Sequence, residues 1–447
     1  MTHHLMTYQQ YFFIGIGGIG MSAIARYFKL QGKLAKGYDR TETPLTRQLQ
    51  AEGLNLIYDE SEAKEAIANL SSSDIIIYSA AFKPVHPLLK QASKLQIKCL
   101  KRAAVLGELS QLMPTIAVAG THGKTTTSAM LTHILNQNQV PLTAFVGGIL
   151  ADEDTNFIHK GDEVMVVEAD EYDQSFLQLS PKIGCVISVD ADHIDTYATQ
   201  AAMHSAFAKF SNKVNALYVS VDTNLPGTTV GINSSTADVN IKNINYNNNS
   251  YRFDLNIDGQ TYKQINAPLP GYHNVLNTAF ALALAYSYKA DLMTGYIKSL
   301  NDFKGIKRRF NIIKNTEHEV IIDDYAHHPE AIKSIYNSLR YMFPESKIRV
   351  IFQPHLYSRT QQFEKEFATV LSMFDEVHLL PIYPAREEEI PGITSGNLLK
   401  QIHCGDKKLI QPDAFPESVF QNSVKVKAVL GAGDIGQMLE NIKPQMS

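Results

Sequence analysis

The residues best suited to chemistry lie in one short loop, Gly120-Thr-His-Gly-Lys-Thr125. Backbone N–H groups of a glycine-containing loop bind phosphate oxygens, a lysine brings a cation to the outer phosphates, and a threonine hydroxyl binds Mg²⁺. Lys124 and Thr125 occupy those last two positions. The usual pattern has one more glycine, where this chain has Val118. An ordinary turn that contains Gly-Lys-Thr is the alternative to a phosphate-binding loop.

The elements on either side of the loop favour phosphate binding. Residues 115–119 form an apolar run that predicts a buried strand, and residues 126–137 have the apolar spacing of a helix. The loop therefore leads from a strand to a helix N-terminus, where phosphate binds. We expect the nucleotide to contact Gly120, Thr121, His122, Gly123, Lys124, Thr125 and Thr126.

A run of carboxylates follows the next apolar strand, residues 164–170. Glu168 and Asp170 are two residues apart, so they point to one face of an extended strand. A parallel sheet places such residues at its carboxyl edge, beside the phosphate loop. Oxygen ligands suit Mg²⁺, although a lone acid at a strand end is usually a cap or turn residue. The acids of this segment are Glu168, Asp170, Glu171 and Asp173. We predict that at least one of them binds the metal, and we expect Glu168 and Thr125 to be ligands.

A third polar stretch, Asp190-Ala-Asp-His-Ile-Asp195, ends the predicted strand 183–189. Its carboxylates suit Mg²⁺, and a neutral histidine such as His193 can complete a metal site. In isolation, a simple polar loop is the favoured explanation of this stretch.

A second glycine loop lies near the start of the chain. Gly15-Ile-Gly-Gly-Ile-Gly20 follows a short apolar strand, precedes a predicted helix, and has Asp39 at the end of the next strand. This is the dinucleotide fingerprint, which alone suggests an NAD-dependent dehydrogenase. A helix N-terminus, however, binds any pyrophosphate, including that of a UDP-sugar. A dehydrogenase would leave the loop at Gly120 unexplained.

Composition narrows the class of protein. A chain of 447 residues is too long for one core, so two or three domains are expected. The net charge of −4 gives no basic footprint for nucleic acid. No apolar run is long enough for a membrane span, and the first residues lack a signal-peptide pattern. The three cysteines, Cys99, Cys185 and Cys404, predict buried thiols in a cytoplasmic protein.

Strands alternate with helices along most of the chain, which predicts an α/β protein with parallel sheets. We predict domains over residues 1–110, 111–304 and 305–447. Within the second, Asp258-Gly259 between alternating runs predicts a two-residue hairpin. The third contains its own glycine turn, Gly431-Ala-Gly-Asp-Ile-Gly436.

Several of these motifs together resemble the Mur ligase family. They include residues 15–22, 120–127, 168–171, 271–277, 308–310 and 323–329. The resemblance implies three domains: a Rossmann-like N-terminal domain, a central P-loop ATPase-type domain and a Rossmann-like C-terminal domain. It also implies an ATP-dependent, amide-forming ligase that uses Mg²⁺ in peptidoglycan synthesis.

The resemblance also implies roles for individual residues. A UDP-linked sugar would contact Gly15, Gly17, Gly18, Gly20, Asp39 and Ser79. The adenine would contact His273, Asn274 and Asn277, although capping of a helix start is the simpler explanation for these. Arg309 would reach the terminal phosphate, Asp324 the ribose and His193 a second Mg²⁺. We expect Lys124, Glu168, His193 and Arg309 to be catalytic.

Three further residues lie on predicted strand-end loops of the last third: His355, Arg359 and Arg386. Arginine suits bidentate recognition of a carboxylate, so we expect them to hold an incoming amino acid. Surface ion pairing is an equally good explanation.

Within the family, residues 15–22 resemble the alanine-adding branch, which implies UDP-N-acetylmuramate and L-alanine as substrates. A recycling ligase that adds a tripeptide, and a nucleotide-binding regulator without turnover, stay open, and we expect a monomer or homodimer. The chain departs from the branch at Ser188 and Asp190, where asparagine and glutamate are common. Ala208 replaces the carbamylated lysine of sister enzymes, with Lys209 one residue later, so no carbamylation is assigned.

Overall fold

The structure, a computed structural model, describes residues 4–190, 197, 199–247, 250–385, 387–421 and 423–445. The chain forms two compact units. The first consists of Met1–Asn245, Arg252–Pro268 and Asn274–Lys304, and the second of Tyr246–Tyr251, Leu269–His273 and Gly305–Ser447. Three sheets build these units, with five, ten and six strands.

The first sheet is parallel and has the strand order β3-β2-β1-β4-β5. Its strands are β1 (Gln10–Ile14), β2 (Leu34–Tyr38), β3 (Asn55–Ile57), β4 (Asp74–Tyr78) and β5 (Lys98–Lys101). The connecting helices are α1 (Ile19–Leu30), α2 (Pro44–Ala51), α3 (Glu60–Ala68) and α4 (Pro87–Lys94), and α5 (Arg102–Leu112) follows β5. Alternate residues of β1 enter two different cores, Tyr11 and Phe13 on one face and Phe12 and Ile14 on the other. Helices therefore cover both faces of the sheet.

The second sheet has the order β15-β14-β13-β12-β11-β10-β6-β9-β7-β8. Its strands are β6 (Thr115–Ala119), β7 (Leu142–Leu150), β8 (Thr155–His159), β9 (Val164–Glu168), β10 (Ile183–Val186), β11 (Ala216–Ser220), β12 (Thr228–Ile232), β13 (Val239–Asn247), β14 (Ser250–Ile257) and β15 (Gln260–Ala267). Its helices are α6 (Lys124–Gln137), α7 (Gln200–Ser211), α8 (His273–Tyr288) and α9 (Met293–Ser299). β6 is buried along its whole length and pairs in parallel with β9 and β10.

The third sheet has the order β16-β17-β21-β18-β19-β20, with only β16 antiparallel among the described pairs. Its strands are β16 (Asn311–Asn315), β17 (Val320–Asp324), β18 (Ile348–Phe352), β19 (Glu376–Leu379), β20 (Asp406–Leu409) and β21 (Val426–Leu430). Its helices are α10 (Pro329–Met342), α11 (Tyr357–Gln362), α12 (Glu364–Leu371), α13 (Ser395–Gln401), α14 (Phe415–Phe420) and α15 (Ile435–Ile442).

The structure agrees with the predicted α/β class and refines several elements. Asp258 and Gly259 join the neighbouring strands β14 and β15 with positive φ values of 49° and 72°, as a two-residue hairpin requires. The helix expected from residue 126 already begins at Lys124. After β18, the chain forms two helices, α11 and α12, which are separated at Phe363.

Among the described helices, none is long and apolar enough to cross a membrane. The cysteines are free thiols, but only Cys185 is buried, whereas Cys99 and Cys404 are half-buried. The expectation that all three thiols lie inside was therefore wrong. Cys99 is at a sheet edge strand and Cys404 is in a surface connection, where fewer atoms cover the sulfur.

Candidate active site

The phosphate loop of the first unit lies between β6 and α6. Gly123 is the residue before the helix and has a left-handed backbone, with φ 82°. A Cβ at this position would lie 2.4 Å from Oδ1 of Asn277. Both the conformation and the close approach therefore require glycine here. Lys124 and Thr125 consequently stand in the first turn of the helix, where backbone N–H groups are open to a phosphate.

Lys124 forms a buried ion pair. Its Nζ lies 2.8 Å from Oε2 and 2.9 Å from Oε1 of Glu171, and it also donates to the carbonyl of Gly120 at 2.6 Å. Glu171 has no exposed side-chain surface, and Lys124 is 11% exposed. Burial acts to lower the pKa of Lys124, but the carboxylates of Glu171, Asp170 and Glu168 together raise it above its usual value. The lysine is therefore a fixed positive charge.

Ser188 and Asp190, just after β10, hold the other half of the loop. The Ser188 hydroxyl accepts from the backbone N–H of His122 at 2.9 Å and lies 2.9 Å from the hydroxyl of Thr121. Thr121 also donates to Oδ2 of Asp190 at 3.2 Å. The loop is thereby tied at two successive residues to the neighbouring strand end. Ser188 and Asp190, the two positions that differ from the alanine-adding branch, therefore contact the phosphate loop directly.

Glu168 ends β9 and points towards β7. Its Oε2 accepts from the backbone N–H of Gly147 at 3.1 Å. A Cβ on Gly147 would lie 2.1 Å from the same oxygen, so only glycine leaves room for the carboxylate. Asp170 lies beyond the end of that strand, and its Oδ2 is 3.3 Å from Nη2 of Arg102. A pocket borders both acids and is lined by Arg102, Ala103, Leu106, Glu168, Asp170, Ser175, Phe176 and Leu179.

The glycine loop of the first sheet is packed tightly. Gly15 has φ 82°, and the N–H of Gly17 donates to Oδ2 of Asp39 at 2.8 Å. A Cβ on Gly20 would lie 2.2 Å from Nη1 of Arg102. Gly18 precedes α1, and Ser79 lies beside Gly15, since a Cβ there would be 3.3 Å from the Ser79 hydroxyl. The structure thus brings five of the expected sugar-binding residues together: Gly15, Gly17, Gly18, Asp39 and Ser79.

Arg102 connects the two loops of the first unit. One guanidinium nitrogen is next to Gly20, and the other pairs with Asp170 in the acidic segment. The residue starts α5, immediately after β5. One side chain therefore reaches both the pyrophosphate-type loop and the carboxylates beside the phosphate loop.

Asn274 and Asn277 start α8 in the first unit. Both are buried, and Nδ2 of Asn277 donates to Oδ1 of Asn274 at 2.9 Å. This pair lies against the phosphate loop through the contact with Gly123. His273, the residue before them, belongs to the second unit, where its Nδ1 lies 3.0 Å from the Ser334 hydroxyl.

In the second unit, Asp324 is buried and both its carboxylate oxygens accept backbone hydrogen bonds, from Phe310 at 2.6 Å and Ala326 at 2.7 Å. Burial raises its pKa, and the opposing effect of Arg309 is smaller. The Arg309 guanidinium lies 5.4 Å from the centre of the Tyr325 ring.

A group of cationic side chains surrounds His327 in the same unit. Burial, then Arg359, His355 and Arg309, lower the pKa of His327 to about 3, and its hydrogen bond to the Tyr325 carbonyl only partly offsets this. The His355 ring stacks on Tyr383 with centroids 5.7 Å apart. Such a neutral histidine among cations favours an anionic ligand.

Two expected site residues, His193 and Arg386, lie outside the described residues, as does Asp192 beside the former. Their roles stay predictions. The remaining expected residues divide between the two units, each of which is described by itself.

Comparison with known proteins identifies the family. The description "Mur ligase family, catalytic domain" matches residues 10–113, "Mur ligase middle domain" matches 118–285, and "Mur ligase, glutamate ligase domain" matches 308–432. The chain belongs to the Mur ligase family. A UDP-N-acetylmuramate–L-alanine ligase of Christiangramia forsetii is 43% identical over 440 residues, which cover 97% of each chain.

Solved structures agree with this placement in the Mur ligase family. The UDP-N-acetylmuramate-alanine ligase MurC from Thermotoga maritima superposes with a TM-score of 0.83 at 27% identity, covering 98% of this chain and 99% of that one. A murein peptide ligase from Psychrobacter arcticus has a TM-score of 0.70 at 20% identity, covering 97% and 98%, which shows a shared fold alone. The dehydrogenase interpretation of the first glycine loop is therefore abandoned.

Sequence reasoning missed several contacts of this Mur ligase site. Arg102 belongs to no motif of its own, so no local pattern marked it. Gly147 was visible only as half of a Gly-Gly pair. Glu171 was grouped with the possible metal ligands, whereas the structure places its carboxylate on Lys124. Tyr383, which stacks on His355, carried no local signal.

Proposed function

We propose that this Mur ligase joins L-alanine to UDP-N-acetylmuramate and cleaves ATP to ADP and phosphate. In the first step, the lactyl carboxylate of the sugar attacks the γ-phosphorus of ATP, which releases ADP and gives an acyl phosphate. In the second, the amine of L-alanine attacks the acyl carbon, phosphate leaves, and the amine loses a proton. The net product is an amide.

The observation that carries the proposal is the position of Arg102. Its guanidinium lies beside Gly20 of one glycine loop and 3.3 Å from Asp170 in the acidic segment next to the other. A pyrophosphate bound at the first loop and a triphosphate bound at the second would therefore both lie near the Arg102 side chain. This arrangement suits a ligase that activates a UDP-linked acid with ATP, and a hydride transfer would not use it.

The residues of the first unit provide charge stabilisation and orientation. The N–H groups at the start of α6 and the ammonium of Lys124 would bind the outer phosphates, where negative charge develops during transfer. Glu171 holds that ammonium in place. Asn277 and Asn274 would contact the adenine, in keeping with the resemblance of their spacing to that of the family.

The donor set at the end of β9 fits a magnesium ion. The Glu168 carboxylate stands at the end of β9 and accepts from the N–H of Gly147, and the Thr125 hydroxyl stands in the first turn of α6. Magnesium bound here would neutralise charge on the transferring phosphoryl group. His193 is proposed as a further ligand on the basis of the family resemblance.

The second unit is proposed to bind the remaining groups. Arg309 would contact the terminal phosphate and Asp324 the ribose. The cationic group around His327 suits the carboxylate of the amino acid, with His355, Arg359 and Arg386 as its partners. Action in the cytoplasm, as a monomer or homodimer, is part of the same proposal.

Phosphate release with an acceptor panel tests this function. ATP, Mg²⁺ and UDP-N-acetylmuramate are supplied with L-alanine, glycine, L-serine, D-alanine or the tripeptide L-Ala-γ-D-Glu-diaminopimelate, and the product mass is measured. Release should need both the sugar and the amino acid. Glycine and L-serine should be used weakly, since small pockets discriminate by only ~1–3 kcal/mol per group. Faster turnover with the tripeptide than with L-alanine would favour the recycling ligase.

A further inference from the structure

Three potential metal ligands converge on the third sheet, away from the loops discussed so far. Glu376 and His378 lie two residues apart on β19 and so share a face, and Asp406 is the register partner of Glu376 on β20. One ligand atom from each side chain lies within 4.8 Å of the other two. The expected substrate residues His355 and Arg359 follow the carboxyl end of β18, whereas Glu376 and Asp406 begin their strands.

His378 is the unusual member of this group. Its side chain has no exposed surface, and within the part of the chain that the structure describes neither ring nitrogen has a hydrogen-bond partner. Buried polar groups normally have such a partner, and those without one call for an explanation. A metal ion is a partner that coordinates a ring nitrogen without donating a hydrogen.

Glu376 is held in a fixed orientation. Its Oε2 accepts from Nε of Arg349 at 2.8 Å and from Nη2 at 2.5 Å. Arg349 is fully buried and donates further to the backbone carbonyls of Ser418 and Gln421. Side chains that do not touch the metal often orient a metal-binding carboxylate by hydrogen bonds, and Arg349 is placed to do this for Glu376. Both of its hydrogen bonds to Glu376 go to Oε2, so Oε1 is left for an ion.

We propose that Glu376, His378 and Asp406 bind one divalent transition-metal ion, and that Zn²⁺ fits best. One imidazole nitrogen and two carboxylate oxygens form a donor set that zinc uses with water as the fourth ligand. Ligands at ~2.1 Å from a common ion lie at most ~4.2 Å apart, so a small movement of the exposed Asp406 side chain closes the site. That exposure also gives the ion its entry route.

The surrounding charges select among metals. The positively charged side chains of Arg349 and Lys408 act electrostatically on His378. These two positive charges disfavour the binding of ions that are held mainly by electrostatic attraction, such as Mg²⁺ or Ca²⁺. Zn²⁺ bonds strongly to imidazole and tolerates this environment better. Because β20 is the edge strand of its sheet, an ion shared with β19 would fasten that edge.

The test uses the full chain, freed of metal with a chelator and then held at saturating Mg²⁺. Zn²⁺ is titrated in competition with a chromophoric chelator, and Co²⁺ is used as a spectroscopic probe of imidazole coordination. The wild type should bind one equivalent of Zn²⁺ at this site, with a rise in unfolding temperature. His378→Leu and Asp406→Asn should each weaken Zn²⁺ binding at least tenfold and abolish that rise.

The matched control is His403→Gln, which removes an exposed histidine from the segment before β20 and should leave Zn²⁺ binding unchanged. Asp406→Asn alters only a surface side chain, so it decides the question even where His378→Leu folds poorly. Equal Zn²⁺ affinity in wild type and Asp406→Asn, or a wild type without this Zn²⁺ equivalent, would overturn the proposal.

Discussion

Replacing Glu171 with glutamine removes the charge that holds Lys124 while keeping the shape of the side chain. At 2.8 Å, two unit charges attract by ~6 kcal/mol at an effective dielectric constant of about 20. Breaking one partner of a buried pair typically costs ~3–5 kcal/mol. The amide oxygen of glutamine still accepts from Lys124, so we expect a loss near ~3 kcal/mol. Because the entropy of unfolding grows with the size of the unit, this loss corresponds to a fall in unfolding temperature of roughly 5 °C for the first unit.

The same change should alter the pH dependence of activity. In the wild type the pKa of Lys124 is raised, so the stability from its charge is present throughout neutral pH and is lost only when pH rises through that high value. Without Glu171, burial opposes the charge more effectively and the pKa falls. The kcat/KM for ATP in Glu171→Gln should therefore decline at a lower alkaline pH than in the wild type.

The control for this pair is Asp173→Asn. Asp173 contacts Lys101 at 2.7 Å, but both side chains are more than two-fifths exposed, and such pairs contribute little. Thermal unfolding and pH-rate profiles of phosphate release are measured for both variants. Similar small shifts in the two variants, with unchanged pH profiles, would refute the assignment of Glu171 as the buried partner of the loop lysine.

Three further predictions use the same assays. Glu168→Gln should raise the Mg²⁺ concentration needed for half-maximal turnover at least tenfold and lower turnover, and an unchanged magnesium titration would contradict a metal role. Gly17→Ala should raise the KM for the UDP-sugar and leave that for ATP unchanged, because the new Cβ would lie 2.8 Å from Oδ2 of Asp39; equal effects on both would point to general unfolding. Burial raises the pKa of Asp323 to about 6 despite Arg308, so its neutral form stabilises the fold at low pH and this contribution is lost as pH rises through 6. Asp323→Asn should flatten the unfolding temperature between pH 4 and 7, and an unaltered slope would count against this account.

Local patterns predicted much of the fold and of the site's backbone. Glycine spacing was informative at three places: the phosphate loop, the first glycine loop and the Asp258-Gly259 hairpin. At each of them the chain reverses or changes direction through a backbone conformation that favours glycine, so the positions of the glycines predict the turn. Parallel pairing also placed Glu168 correctly at a strand end, because strand polarity fixes which edge a residue occupies.

Contacts between distant side chains were not predictable in the same way. Glu171 and Asp173 look equivalent in sequence, yet the first is fully buried against Lys124 and the second is exposed beside Lys101. That difference depends on how α5 and the segment after β9 pack, which no local spacing records. The buried imidazole of His378 is a similar case, because strand periodicity shows its face but not its lack of partners.

The position of β6 in its sheet has a consequence for synthesis on the ribosome. The strand that carries the phosphate loop pairs with β9 and β10, and both are translated after it. At ~5–20 residues per second, the nascent chain would wait on the order of ten seconds between completing β6 and producing β10. During that interval an apolar strand has two open edges. Chaperone binding should therefore concentrate on nascent chains that end shortly after the phosphate loop.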